Sequence, residues 1–337
     1  MVNFYKILFF NTLVMGTLIA ISSYSWLSMW MGLEINLLSM IPLMKDSSNL
    51  YPSESALKYF ITQALASSGL LFSIITTMNL NEFIPQNSNY LLMMMLNSAL
   101  LTKAGAAPFH VWFPEVIEGL NWNNSLILLT WQKIAPMILL MYNSKMILFL
   151  SMIVVFSTVI GGVLGMNQIS LRKIMSFSSI NHMAWMIASM LNSQTIWTIY
   201  FAVYTIISVN IILIFKKFNI YWVSQLNLSM NKNKMMKFFF MMNFLSLGGI
   251  PPFLGFFPKW LTINNLVDNG LNLLSLILVI STLITLFFYL RLTFSTMVIN
   301  SSESIIPQNN KLSFTVILLN FVSLMGLAAC TLTLNFL

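Results

Sequence analysis

Four ionisable residues stand in sequence that is otherwise almost wholly apolar. Glu34 lies in Trp30-Met31-Gly32-Leu33-Glu34-Ile35-Asn36, and Lys133 in Thr130-Trp131-Gln132-Lys133-Ile134-Ala135-Pro136. Lys103 and Lys259 lie beside two interruptions rich in glycine and proline. Desolvation disfavours the charged form of carboxylate and ammonium alike, so buried groups of both kinds move toward neutrality, where a proton leaves and returns. A row of such groups has the chemistry of a proton relay. The other readings are static ion pairing, or snorkelling of Lys103 and Lys259 to an interface. Three lysines cannot all pair with one glutamate, and Lys133 has apolar helix on both sides. His182, in Ser178-Ser179-Ile180-Asn181-His182, is either a relay member with an ordinary pKa near 6.5 or a hydrogen-bonding residue between helices. His110, just after the first interruption, reads as structural. Glu115 and Glu118, three apart on one helical face, read either as a solvated helix end or as a proton entry.

These groups need an apolar frame, and the composition supplies one. Of 337 residues, 58% are hydrophobic and only 7% charged. A soluble domain carries roughly 25% charged residues, so a soluble enzyme is excluded, as is a disordered chain. The net charge of +8 then belongs to loops flanking a membrane and not to a nucleic-acid partner. The single cysteine, Cys330, excludes intrachain disulfides, cysteine-held iron–sulfur clusters and structural zinc sites. Two histidines are too few for the usual histidine-ligated haem or metal centre, and no glycine-rich phosphate-binding string occurs. Residues 1–22 carry no small-residue cleavage site and read as a first span.

Spans of about 20 apolar residues fall at 3–22, 25–44, 55–78, 89–119, 124–142, 145–165, 171–191, 194–215, 236–267, 271–299 and 312–334. The fold expected is therefore all-α and polytopic, with about eleven transmembrane helices. The runs are continuously apolar, without the alternation of barrel strands. The fourth and ninth are too long for one straight helix. Each is interrupted, by Gly105 and Pro108 in one and by Gly248, Gly249, Pro251 and Pro252 in the other. Paired prolines remove two amide donors and clash with the preceding turn. A break inside a bilayer persists only where it is buried in protein or lines a wet cavity, and two in one chain point to an ion path. Simple kinks or a re-entrant loop are the alternatives. Gly161 and Gly165 have the spacing of close helix packing.

Alternating the loops between two sides places Lys6, Lys45, Lys58, Arg172, Lys173, Lys216, Lys217, Lys232, Lys234, Lys237, Arg291 and Lys311 on the N-terminal side. Lys145 stands alone on the other. Such asymmetry is what the positive-inside rule demands.

The stretches Met31–Asn36, Lys103–His110, Trp131–Pro136, Ser178–His182, Leu247–Phe253 and Pro258–Trp260, in this order over nearly the whole chain, resemble the antiporter-like subunit 2 family of mitochondrial NADH:ubiquinone oxidoreductase, respiratory complex I. The resemblance implies one antiporter-like transmembrane domain over 1–337, with the first three helices of the bacterial fold absent, as in shortened animal forms. It implies that Glu34, Lys103, Lys133 and Lys259 form a central charged axis with His182 on the same path. It also implies a place among other membrane-arm subunits and lipids of the mitochondrial inner membrane. FMN, iron–sulfur clusters, NADH and ubiquinone would be bound by other subunits and none by this chain, which has no redox site of its own. A subunit of an Mrp-type cation/proton antiporter and a structural membrane scaffold are the rival readings.

The charge asymmetry puts the N-terminus on the matrix side and the C-terminus on the intermembrane-space side. Single cysteines at Asn143 and Asn233, in a Cys330→Ala background, are therefore expected to label from opposite faces of sealed membranes, Asn233 from the matrix. Labelling of both from one face contradicts the span count.

Overall fold

The computed structural model describes residues 4–46, 49–81, 90–230 and 234–298 and part of 317–326. Among the described residues the chain is helical, with one isolated antiparallel bridge between Ser170 and Trp222. Seven helical segments among the described residues, Trp122–Tyr142 counted as one, are long and apolar enough to cross a membrane, and Tyr90–Ala104 and Met235–Gly248 are shorter apolar helices. The chain is thus an all-α polytopic membrane protein. Ten of the expected spans coincide with helices or broken helix pairs. The span expected at 312–334 falls largely outside the described residues, as do Cys330, Lys232, Asn233 and Lys311.

The helices divide into two compact units, residues 1–153 and 154–337. In the first, α1 (Phe4–Ser22) and α2 (Trp26–Met44) form a tight hairpin, and α2 packs on α3 (Tyr51–Asn81). Helix α3 also carries α4 (Tyr90–Ala104) and α5 (Trp112–Gly119), the two halves of the fourth expected span. The fifth becomes α6 (Trp122–Leu129), a 3₁₀ turn at Trp131–Lys133, and α7 (Ile134–Tyr142). Helix α8 (Ile147–Met166) runs through the boundary of the two units.

The second unit is arranged around α9 (Leu171–Met190), whose residues from Ile174 to Met190 are all buried. A helix apolar and buried on every side is a core element. Its serines 176, 178, 179 and 189 each donate their hydroxyl to a carbonyl three residues back, so these polar groups are satisfied within the helix itself. Against it pack α10 (Gln194–Phe218), α13 (Phe256–Asp268) and α14 (Asn272–Val298), and α12 (Lys234–Gly248) packs on α10 and α14. The short α11 (Val223–Met230), which the hydropathy pattern did not suggest, packs on α14. Helix α14 turns Leu276, Ile280, Leu283 and Phe287 outward at helical spacing, an apolar stripe suited to lipid. Gly161 fits against the α9 backbone, where an added Cβ would lie 3.0 Å from the Asn181 nitrogen, the close approach its spacing suggested.

Both expected breaks are built alike. Gly105 and Gly249 each have φ of 79°, a left-handed conformation that glycine adopts without strain. Each begins a Schellman-type ending. The Ala106 amide donates to Leu101 O at 3.1 Å, and the Ile250 amide to Leu245 O at 3.4 Å. Orphan carbonyls at the end of each half-helix are thereby partly satisfied inside the bilayer. The 3₁₀ turn before α7 is a third interruption. Pro136, in the first turn of α7, has no N–H to offer the Gln132 carbonyl.

Gly248 and Gly249 make a matched test. A Cβ on Gly248, still helical, meets only side-chain carbons at 3.7–3.8 Å, whereas one on Gly249 would lie 2.8 Å from Lys259 Cδ. Gly249→Ala is expected to destabilise the assembled protein by about 1–2 kcal/mol, the cost of forcing an alanine into left-handed space. Gly248→Ala is expected to be neutral or slightly stabilising. Survival of the native assembly on gels after graded heating checks both, and equal tolerance of the two would contradict the geometry described.

Candidate functional site

In the first unit, α2 and the end of α4 bring Glu34 and Lys103 together, Nζ to Oε1 3.7 Å apart. The lysine side chain is 4% exposed and the glutamate 24%. At this distance the pair is an ion contact without a direct hydrogen bond. Neither atom has a hydrogen-bond partner among the described residues. Lys103 occupies the last turn of α4, where the partial negative charge of the helix end adds to the attraction of Glu34. Snorkelling is ruled out, because Lys103 and Lys259 are both buried.

Lys133 closes the 3₁₀ turn and is 1% exposed. Its ammonium stands 5.4 Å from the centroid of the Phe113 ring, a cation–π contact. Phe113 in turn packs against Gly105, where any Cβ would come within 3.2 Å of the ring. Glycine at 105 thus serves both the break and the aromatic partner of Lys133. Beside these groups lies a small cavity of about 10 Å³, lined by Leu33, Asn36, Leu37, Tyr59, Gln63, Lys103, Gln132 and Pro136. Across it the Gln132 amide donates to Asn36 Oδ1 at 2.7 Å, and Gln63 donates to the Lys103 carbonyl at 3.5 Å.

In the second unit, Lys259 lies in the first turn of α13, where a cation opposes the helix dipole. Compensation comes from α12. The ammonium donates to Gly248 O at 2.9 Å and to Leu247 O at 3.2 Å, two carbonyls at a helix C-terminus. It also stands 5.8 Å from the ring of Trp185 on α9. His182 lies one turn before Trp185 on the same face. Its Nδ1 shares a 2.9 Å hydrogen bond with the Tyr200 hydroxyl, and its ring packs 5.2 Å from that of Tyr204. A second cavity, about 10 Å³, is lined by His182, Tyr200, Tyr204, Leu247 and Pro258 among others. Its wall thus includes both the histidine and Leu247, whose carbonyl is one of the two that hold Lys259.

The remaining candidates are peripheral to these groups. His110 Nδ1 lies 3.3 Å from the Pro108 carbonyl inside the turn of the first break, as a structural residue would. Glu115 forms an exposed ion pair with Lys58 at 2.8 Å, which suits a solvated helix end. Asn36, Tyr59, Gln63, Gln132 and Tyr200 line the cavities without having been singled out in sequence. The available signal was a polar side chain beside a buried charge, as Asn36 is to Glu34 and Gln132 to Lys133. Trp185 and Phe113 carried no such signal, since an aromatic residue in a membrane helix is ordinary core.

Residues 23–285 match the family described as NADH:quinone oxidoreductase/Mrp antiporter, transmembrane. The NADH-ubiquinone oxidoreductase chain 2 of Aedes aegypti is 52% identical over 332 residues, covering 96% of each chain. The corresponding protein of Anopheles gambiae is 50% identical over 329 residues, covering 95% of each. A chain of respiratory complex I from Thermus thermophilus superposes with a TM-score of 0.85 over 96% of this chain and 79% of its own, at 22% identity, which shows the shared fold. With its two broken helices and its buried lysines, the chain belongs to the NADH:quinone oxidoreductase/Mrp antiporter membrane family, in the branch of the NADH-ubiquinone oxidoreductase chain 2 proteins.

Proposed function

We propose that this chain is the proton-translocating subunit 2 of the membrane arm of respiratory complex I. The observation that carries the reading is the buried Glu34–Lys103 ion contact at a helix break, in a chain that buries two further lysines. NADH oxidation and ubiquinone reduction belong to other subunits, which hold FMN and the iron–sulfur clusters, and this chain binds no cofactor. Its partners are the neighbouring membrane-arm subunits and lipids of the mitochondrial inner membrane, with the N-terminus in the matrix. An Mrp-type antiporter subunit would share the fold and the charged groups. The extent of identity to the chain 2 proteins over the full length favours complex I.

The geometry suggests how the groups act. At 3.7 Å the Glu34–Lys103 contact is loose, so a small displacement of α2 against α4 strengthens or weakens it steeply in a low-dielectric surrounding. Such a displacement changes how firmly Lys103 holds its proton. The proton then passes by way of Lys133, with water and His182, to Lys259 and out. At Lys259 the two α12 carbonyls accept hydrogen bonds from ammonium and amine alike, so the side chain keeps its place in both protonation states.

Lys133 separates relay from scaffold. Arginine preserves a positive charge but does not release its proton at working pH. Lys133→Arg is expected to give an assembled complex with normal subunit content and proton uptake reduced by about a hundredfold or more, as for loss of a positioned acid–base group. Native gels and proton uptake in sealed vesicles measure the two quantities. Full pumping by the arginine variant would return Lys133 to a charge-balancing role.

A further inference from the structure

The first unit also carries a groove of about 820 Å³, walled by α3, α4, α5 and the turn of the first break. Ile61, Leu65, Phe72, Met95 and Val111 are among its lining residues, and all five are exposed. The polar groups along it are already satisfied. Thr62, Ser98 and Thr102 each donate their hydroxyl to a carbonyl of their own helix, and the Trp112 indole donates to Thr102 O at 3.0 Å. The wall therefore offers mainly carbon to whatever fills it. Gly69 keeps the floor deep, since an added Cβ there meets no atom within 4 Å.

Among its described lining residues only Lys58 and Glu115 are charged, and they face each other across one end at 2.8 Å, each about half exposed. Glu54, one turn before Lys58, and Glu118, three residues after Glu115, also act on the lysine. One cation thus stands among three carboxylates. Such a rim attracts a positive group and repels a surplus of negative charge. At 1.5 Å per residue α3 is about 46 Å long, enough for a whole bilayer with its headgroups. Lys58 lies two turns from its start, near the level where headgroups give way to hydrocarbon. From there the groove follows α3 to Phe72, about 21 Å. That exceeds the ~15 Å of one hydrocarbon leaflet but falls short of the ~30 Å that a spanning partner helix would contact.

We propose that this groove holds one phospholipid with a zwitterionic headgroup bearing a primary amine. Its acyl chain lies along α3, and its headgroup sits between Lys58 and Glu115. The Lys58 ammonium donates to the phosphate and the lipid amine donates to Glu115, so two charge-assisted contacts replace the direct ion pair. A quaternary amine has no N–H to donate, and an anionic lipid meets the carboxylates of the rim. The site stands apart from the proton relay and does not depend on it.

The test uses the intact complex in vesicles that contain phosphatidylethanolamine with a photoactivatable group midway along one acyl chain. Illumination and peptide mapping are expected to place label on the α3 and α4 residues of the groove. Unlabelled phosphatidylethanolamine should suppress that label at about a threefold lower mole fraction than phosphatidylglycerol, the scale of one exposed charge pair. Gly69→Phe, which fills the groove with a ring, should cut the label about tenfold, as loss of two buried methylenes would. Glu115→Gln should keep the label and abolish the preference between the two lipids. Equal or stronger suppression by phosphatidylglycerol in the unaltered complex overturns the proposal, and this arm needs no variant. Absence of label from the groove also overturns it and assigns the face to a protein partner. Undiminished label in an assembled Gly69→Phe complex overturns it by showing only bulk lipid, and a preference that survives Glu115→Gln overturns the headgroup pairing.

Discussion

An ammonium group in hydrocarbon must find compensation, and the rest of this structure is arranged to supply it. The cost is at least ~2.5–3.5 kcal/mol for each charge at mid-membrane, even on the most lenient scale. Three lysines meet that demand in three ways. Lys103 faces a carboxylate, Lys133 the face of an aromatic ring, and Lys259 two carbonyls at the end of a half-helix. The strengths differ in kind. A carboxylate brings a full charge, a ring or a helix end only part of one. Only the first contact involves a group that can itself change protonation. That asymmetry makes the Glu34–Lys103 contact the natural place for an external event to act.

The helix breaks follow from the same requirement. A continuous helix turns every main-chain carbonyl back on itself and offers nothing to a buried cation. Ending α12 at Gly248 releases carbonyls, and the left-handed turn at Gly249 brings α13 back so that Lys259 reaches them. In the first unit the equivalent turn at Gly105 makes room for Phe113 under Lys133. The breaks are therefore binding elements and not interruptions of an otherwise regular bundle.

Much of this was legible in the sequence because the bilayer restricts backbone solutions so severely. Apolar runs gave the helices, and the Gly-Gly-Ile-Pro-Pro string gave the second break. Buried charges were conspicuous against a chain with 7% charged residues. The interruption at Thr130–Lys133 was less visible. Its one local mark, Pro136, falls inside the expected span 124–142, where a lone proline is equally the mark of a simple kink. The partners of Lys133 and Lys259 were invisible for a different reason. Phe113 and Trp185 lie far from them in sequence and have the composition of ordinary core, and the Leu247 and Gly248 carbonyls belong to the main chain. The role of Tyr200 beside His182 likewise depends on the packing of α10 on α9, which periodicity does not specify.

The central claim is that Glu34 and Lys103 work as one unit, and a double-mutant cycle on proton uptake tests it most directly. Glu34→Gln, Lys103→Met and the double variant should be compared in sealed vesicles at equal complex content. Residues in contact are coupled, whereas independent sites add. The account predicts that the double variant loses clearly less than the sum of the two single losses in free energy. Simple additivity would contradict it.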